Sequence, residues 1–168
     1  MTEVSPPKKK LVIGLFSFTC CEGCSILLTE ILNDYLEAWL PLVEFRHAKA
    51  LKTNNRLEGL DLAIIEGAIS SVSKEEELKE IRANSKYVLA IGSCTVTGLP
   101  SASRNTFEQE GKIDDRIRDY FNRFDYAPQV KKLEDVIKVD DKVPGCPMNK
   151  DLFLAGVNKY LKICGIVE

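Results

Sequence analysis

Apolar residues along this chain fall into short runs separated by longer amphipathic stretches. Residues 11–16 (LVIGLF), 60–66 (LDLAIIE) and 87–92 (YVLAIG) are nearly continuous apolar segments with β-branched members. Runs this short and this apolar predict strands buried on both faces. Residues 43–48 (VEFRHA) alternate instead, which predicts a strand at or near a sheet edge. Between the strands the period changes. Ile26, Leu27, Ile31, Leu32, Tyr35 and Trp39 recur at helical spacing, predicting a helix over 25–39 that Pro41 stops. A second helix is expected over 73–82, with Ser73 as N-cap and Glu76 completing a capping box. Residues 114–124 read as an amphipathic helix. Residues 149–164 read as a last helix, capped by Asn149 and stopped by Gly165. Residues 136–139 are expected to be a short extended segment. Residues 94–112, rich in Gly, Ser, Pro and Thr, are expected to form a long functional or mobile loop.

Strands alternating with helices predict an α/β fold with parallel pairing and right-handed crossovers. With 168 residues, 45% of them hydrophobic and 29% charged, one ordinary globular domain over 11–168 is expected. Residues 1–10 (MTEVSPPKKK) read as a disordered lead-in. Twenty-three basic against 25 acidic residues leave a formal charge of −2, which predicts no nucleic-acid partner. No targeting segment is visible, and the apolar stretch 11–18 is too short to span a bilayer. A soluble cytoplasmic protein is therefore expected. Thiols stay reduced in that compartment, so six cysteines favour metal or redox chemistry over a disulfide frame.

Four of those cysteines follow predicted extended segments. Cys21 and Cys24 follow the first, Cys94 follows 87–92, and Cys146 follows Val143-Pro144-Gly145. In an open α/β sheet the carboxyl ends of parallel strands share one edge, where ligands bind. These thiols are therefore expected to meet, and four thiolates together suit an iron–sulfur cluster. Cys21 and Cys24 form a C-x-x-C pair, whereas Cys94 and Cys146 stand alone, 70 and 52 positions further along. A structural zinc site usually shows two tight pairs. Gly23, Gly92, Gly98 and Gly145 would let backbone amides approach the cluster.

Residues 19–25 (TCCEGCS), 65–68 (IEGA), 92–105 (GSCTVTGLPSASRN) and 144–149 (PGCPMN) together resemble the small-subunit family of [NiFe] hydrogenases. The match is nearest to the short cytoplasmic forms of NAD(P)-linked enzymes, and the 20 kDa subunit of complex I shares the ancestry. The resemblance spans roughly residues 11–150 and places four motifs in the family's order. It implies a flavodoxin-like open parallel sheet with helices on both faces, holding one proximal [4Fe-4S] cluster on Cys21, Cys24, Cys94 and Cys146. It implies cofactor contacts at Gly23 and Gly145, and Glu66 at the large-subunit interface, where it would transfer a proton. The implied partners are a nickel–iron large subunit and iron–sulfur or flavin subunits, between which this chain would relay electrons. No complete active site is expected within the chain, nor a second or third cluster.

Two patterns compete at the first motif. Complex I-type subunits use a tandem cysteine pair, here Cys20-Cys21, and hydrogenases use C-x-x-C, so either Cys20 or Cys24 is surplus. A complex I-like or membrane-hydrogenase subunit is the neighbouring reading. A thiol–disulfide oxidoreductase using Cys21 and Cys24 is another, and a zinc-binding interaction module a further one. Both of these leave part of the pattern unexplained. Arg104 and Asn105 are expected to bond the cluster sulfurs, dock a partner or hold their own loop. His47 and Cys164 are expected to be structural.

Overall fold

The computed structural model describes residues 9–168. Five parallel strands form one sheet: β1 (Leu11–Ser17), β2 (Val43–Ala48), β3 (Leu60–Glu66), β4 (Ser85–Ile91) and β5 (Asp141–Val143). Their spatial order is β2-β1-β3-β4-β5, the doubly wound flavodoxin-like order. The expected fold class is the observed one. Helices α1 (Gly23–Trp39) and α5 (Lys150–Ile163) cover one face, and α2 (Val72–Ala83) covers the other. Alternate residues of β3 explain why its middle, Leu62 to Ile65, is apolar throughout. Leu62 and Ile64 join the core under α1 and α5, while Ala63 and Ile65 join the core under α2. The outer edge of β2 is covered by the following loop. Arg56 N–H donates to Arg46 O, and Asn55 Oδ1 accepts the Ala48 N–H at 2.7 Å.

Three local expectations need correction. Helix α2 is not capped by Ser73. Ser71 occupies the N-cap position without a side-chain bond, and the Asp125 carboxylate accepts both the backbone N–H and the hydroxyl of Ser73. A residue 52 positions away thus replaces the local capping box. The extended segment expected at 136–139 is instead the end of a 3-10 turn and an irregular stretch, with Ile137 buried under the sheet. The strand comes later, where Asp141–Val143 pair with Leu89–Ile91. The long loop after β4 contains a short helix, α3 (Ser93–Thr97), and a 3-10 turn over Ser101–Thr106. Helix α4 (Asp115–Arg123) forms as expected but buries none of its residues.

Most of the expected lead-in lies outside the described residues. Lys9 and Lys10 reach back to the domain, where their ammonium groups donate to Cys164 O and Leu40 O. Among the described residues no helix is long and apolar enough to cross a membrane.

Candidate iron–sulfur site

The carboxyl ends of β1, β3, β4 and β5 converge on one small cleft. Beyond β1 the chain is tied to the segment after β3. Phe18 N–H donates to Glu66 O, and Thr19 and Ala68 exchange backbone hydrogen bonds of 3.0 and 2.9 Å. Gly67 permits this approach, because a Cβ there would lie 2.6 Å from the Phe18 carbonyl carbon. Glu22 then takes a left-handed conformation (φ 60°) and caps α1, which puts Cys24 in the first helical turn. At the end of β4, Gly92 adopts φ 83° and ψ 160°, a region open only to glycine. A Cβ at Gly92 would sit 2.6 Å from Cys24 Sγ. Cys94 follows in the first turn of α3. The turn after β5 is locked beside it, with Gly92 N–H on Val143 O (2.8 Å) and Ser93 N–H on Gly145 O (2.7 Å). This brings Cys146 to the same cleft as Cys94.

Cys21, Cys24, Cys94 and Cys146 all line this cleft, whose volume is about 100 Å³, and Cys20 lines it as a fifth thiol. Cys24 and Cys94 are buried (9% and 8% exposed), while Cys21 and Cys146 are exposed on its open side. All six cysteines are free. Burial pushes the Cys24 thiol up to about 11. The charges of Glu66, Cys94 and Cys146 push the same way, against one hydrogen bond from the Met148 backbone N–H. Burial also raises Cys94, helped by Cys20, Cys21 and Cys146. These sulfurs repel one another as thiolates and call for a cation between them. A disulfide-exchange centre needs the opposite, a thiol whose pKa is lowered.

The residues fit a four-iron cluster. The donors are sulfurs with no imidazole among them, which suits iron–sulfur chemistry. In such a cluster each cysteine holds a different iron, so the sulfurs ring a void. Gly23, Gly92 and Gly145 border the void. Gly98 does not. Its Cβ position faces Ala102, and it ends α3 in a left-handed conformation.

Cys20 and Cys24 differ in their surroundings. Cys20 Sγ accepts the Glu22 N–H at 3.4 Å, lies 3.4 Å from Ser17 Oγ and donates to Phe18 O at 3.6 Å. Its hydrogen bonds as a neutral thiol are met locally. Cys24 Sγ is held between Gly92 and the Cys146 turn.

Glu66 closes β3 on the same wall and is 2% exposed. Its Oε1 accepts the Ser25 hydroxyl of α1, and among the described residues no lysine, arginine or histidine lines the cleft. Glu66 and Ser25 also border a larger, mainly apolar cavity of about 450 Å³ between β1, β2 and α1. Sequence reasoning missed this cavity, since its walls come from four strands, two helices and the loop after β2, with no shared motif. Arg104 and Asn105 lie away from the cleft and hold their own excursion. Arg104 donates to Ser70 O and Ala127 O and stacks on Phe121 and Tyr126. Asn105 pairs with the Val130 backbone. His47 stacks on Phe16 at 4.4 Å, with Nδ1 3.2 Å from Leu15 O.

The family described as NADH ubiquinone oxidoreductase, 20 Kd subunit, matches residues 21–160. This chain belongs to that family. Members of this complex I 20 kDa and [NiFe] hydrogenase small-subunit family are similar to it along most of its length. A subunit of the F420-non-reducing vhu hydrogenase of Methanocaldococcus jannaschii is 30% identical over 151 residues, covering 80% of this chain and 50% of its own. The delta subunit of sulfhydrogenase 2 of Pyrococcus furiosus is also 30% identical, covering 83% and 57%. The delta subunit of the NAD-reducing hydrogenase HoxS of Cupriavidus necator is 25% identical over 84% of this chain and 74% of its own. The chain thus spans about half the length of the first two relatives. A chain of a solved NAD+-reducing [NiFe]-hydrogenase in its H2-reduced state superposes with a TM-score of 0.74 at 21% identity, covering 91% of this chain and 92% of that one. At that identity the match establishes the shared fold.

Proposed function

We propose that this chain is the electron-transfer small subunit of a multi-subunit [NiFe] hydrogenase, with one proximal [4Fe-4S] cluster on Cys21, Cys24, Cys94 and Cys146. The observation that carries the proposal is the meeting of these four thiols at three strand ends around one cleft. Bound there, the cluster supplies one-electron carriage. The chain's own residues do the rest. Two buried and two exposed cysteines hold the group at the surface, open on one side to a partner. The Met148 backbone N–H beside the Cys24 sulfur would supply the kind of bond that tunes a metal site. Gly23, Gly92 and Gly145 keep side chains out of the cradle. Glu66 moves a proton beside the large-subunit face. The nickel–iron chemistry belongs to that large subunit, and iron–sulfur or flavin subunits take the electrons onward. In this reading the chain carries no complete active site of its own, and the proposed location is the cytoplasm.

The test is anaerobic co-purification of the full chain with its partners. Roughly four irons and four sulfides per chain are expected, together with a nickel-containing partner. Colourless, iron-free protein sinks the proposal. Glu66→Gln should slow hydrogen turnover with the iron content retained.

A second reading draws on Cys20 lining the same cleft. In a complex I-like subunit Cys20 and Cys21 would be the ligands. Cys24→Ala should then keep its iron and Cys20→Ala lose it. The hydrogenase reading expects the reverse.

A further inference from the structure

We propose that the Glu66 carboxylate sets the reduction potential of the cluster and holds it low. The inference rests on the iron–sulfur reading above and concerns the one charged side chain among the described residues, thiols aside, on the wall of the cysteine cleft. Three observations carry it. Glu66 is 2% exposed, so water does little to screen it. Among the described residues no cationic side chain lines the cleft, and His47 and Lys49, which line the larger cavity that Glu66 also borders, form no ion pair with it. Its side-chain hydrogen bond comes from one neutral donor, the Ser25 hydroxyl. A carboxylate is expensive to bury without a cation, and neither the turn nor the strand pairing needs one here. Phe18 bonds the Glu66 backbone carbonyl, and β3 pairs through its main chain.

Four thiolates already make the ligand set anionic, and reduction adds one more negative charge. A fixed carboxylate on the wall of a water-poor cleft opposes that electron. Removing its charge should shift the reduction equilibrium by about tenfold, which is 59 mV for a one-electron couple. Glu66→Gln removes the charge and keeps an oxygen for Ser25. Glu66→Asp keeps the charge.

The experiment is an anaerobic redox titration of the full chain in its complex, followed by electron paramagnetic resonance, for wild type and both variants. Glu66→Gln should reduce at a higher potential by about tenfold in the equilibrium, with Glu66→Asp within threefold of wild type. A Gln variant that titrates like wild type, or Gln and Asp variants that move together, overturns the proposal. Where Glu66→Gln loses its iron, Ser25→Ala decides. Stripped of its hydroxyl donor, the carboxylate should lower the potential, and an unchanged or raised value counts against it. A wild-type chain without iron overturns the cluster reading and this inference together. An iron-loaded chain indifferent to Glu66 overturns this inference alone.

Discussion

Strand β3 has a buried acid at each end, and the fold treats the two in opposite ways. Asp61, at the amino end, is 3% exposed and fully partnered. It accepts the Val12 N–H at 3.0 Å and the Lys86 ammonium at 2.7 Å. Burial pushes its carboxyl up, but Lys86 and the Val12 N–H outweigh burial and hold it below the ordinary range. Glu66, at the carboxyl end, is equally buried and has a hydroxyl in place of a cation. The amino edge of the sheet therefore looks built for stability. The carboxyl edge tolerates an unpaired carboxylate and raised thiols, features that concentrate at working sites. Changes at the two edges should separate accordingly, moving metal content at one and stability at the other.

The strongest break in that division is expected from Gly92→Ala. The new methyl would lie 2.6 Å from Cys24 Sγ, at a backbone conformation that only glycine adopts easily. The strain costs about 1–3 kcal/mol, but the larger effect is displacement of a ligand sulfur. Iron and sulfide analysis should find most of the cluster gone. A fully loaded Gly92→Ala chain would mean that Cys24 is not a ligand.

Asp61→Ala is the counterpart at the other edge. It leaves the Val12 N–H without its acceptor, at a cost of about 2 kcal/mol. Asp61→Asn keeps an acceptor and loses only the pair with the exposed Lys86, a loss of under about 1 kcal/mol. Iron content should not change in either. Because the folded pKa of Asp61 is depressed, its contribution is complete above the ordinary value of 3.8 and fades as pH falls through the folded value. Urea melts should therefore show wild type ahead of Asp61→Asn at pH 7 and the gap closing below about pH 4. A gap that widens in acid would reverse the assignment.

How legible each edge was follows from where its information lies. β2 and β3 fell where the pattern put them, because a short apolar or alternating run bounded by turn residues has few other solutions. The meeting of the cysteines was legible for a similar reason, since strand ends in a parallel sheet share an edge. Non-local features were not. β5 is Asp-Lys-Val, whose only apolar residue, Val143, marked an extended turn rather than a strand, and it becomes one by pairing with β4. The cap of α2 comes from Asp125 across the loop. The presence of Cys20 on the same cleft as Cys24 depends on the left-handed Glu22, which no residue type announces. Glu66 was legible as an acid ending a buried strand, but its lack of a cation could only be read once its neighbours were in place.

The smallest effect tests the border between the two regimes. Asn149 ends the turn that carries Cys146 and begins α5, so it belongs to both site and core. Its two bonds do different work. The backbone N–H donates to Pro144 O and closes the turn, while Oδ1 accepts the Leu152 N–H and caps the helix. Asn149→Ala keeps the first and loses the second. About 1 kcal/mol of stability should go, a shift of roughly 2–4 °C in the melting temperature for a chain of this size, with iron content unchanged. Full iron with a lowered melt would show that the backbone alone positions Cys146. Iron lost in step with stability would show that the turn depends on α5, and the carboxyl edge could then no longer be treated as separate from the packing beneath it.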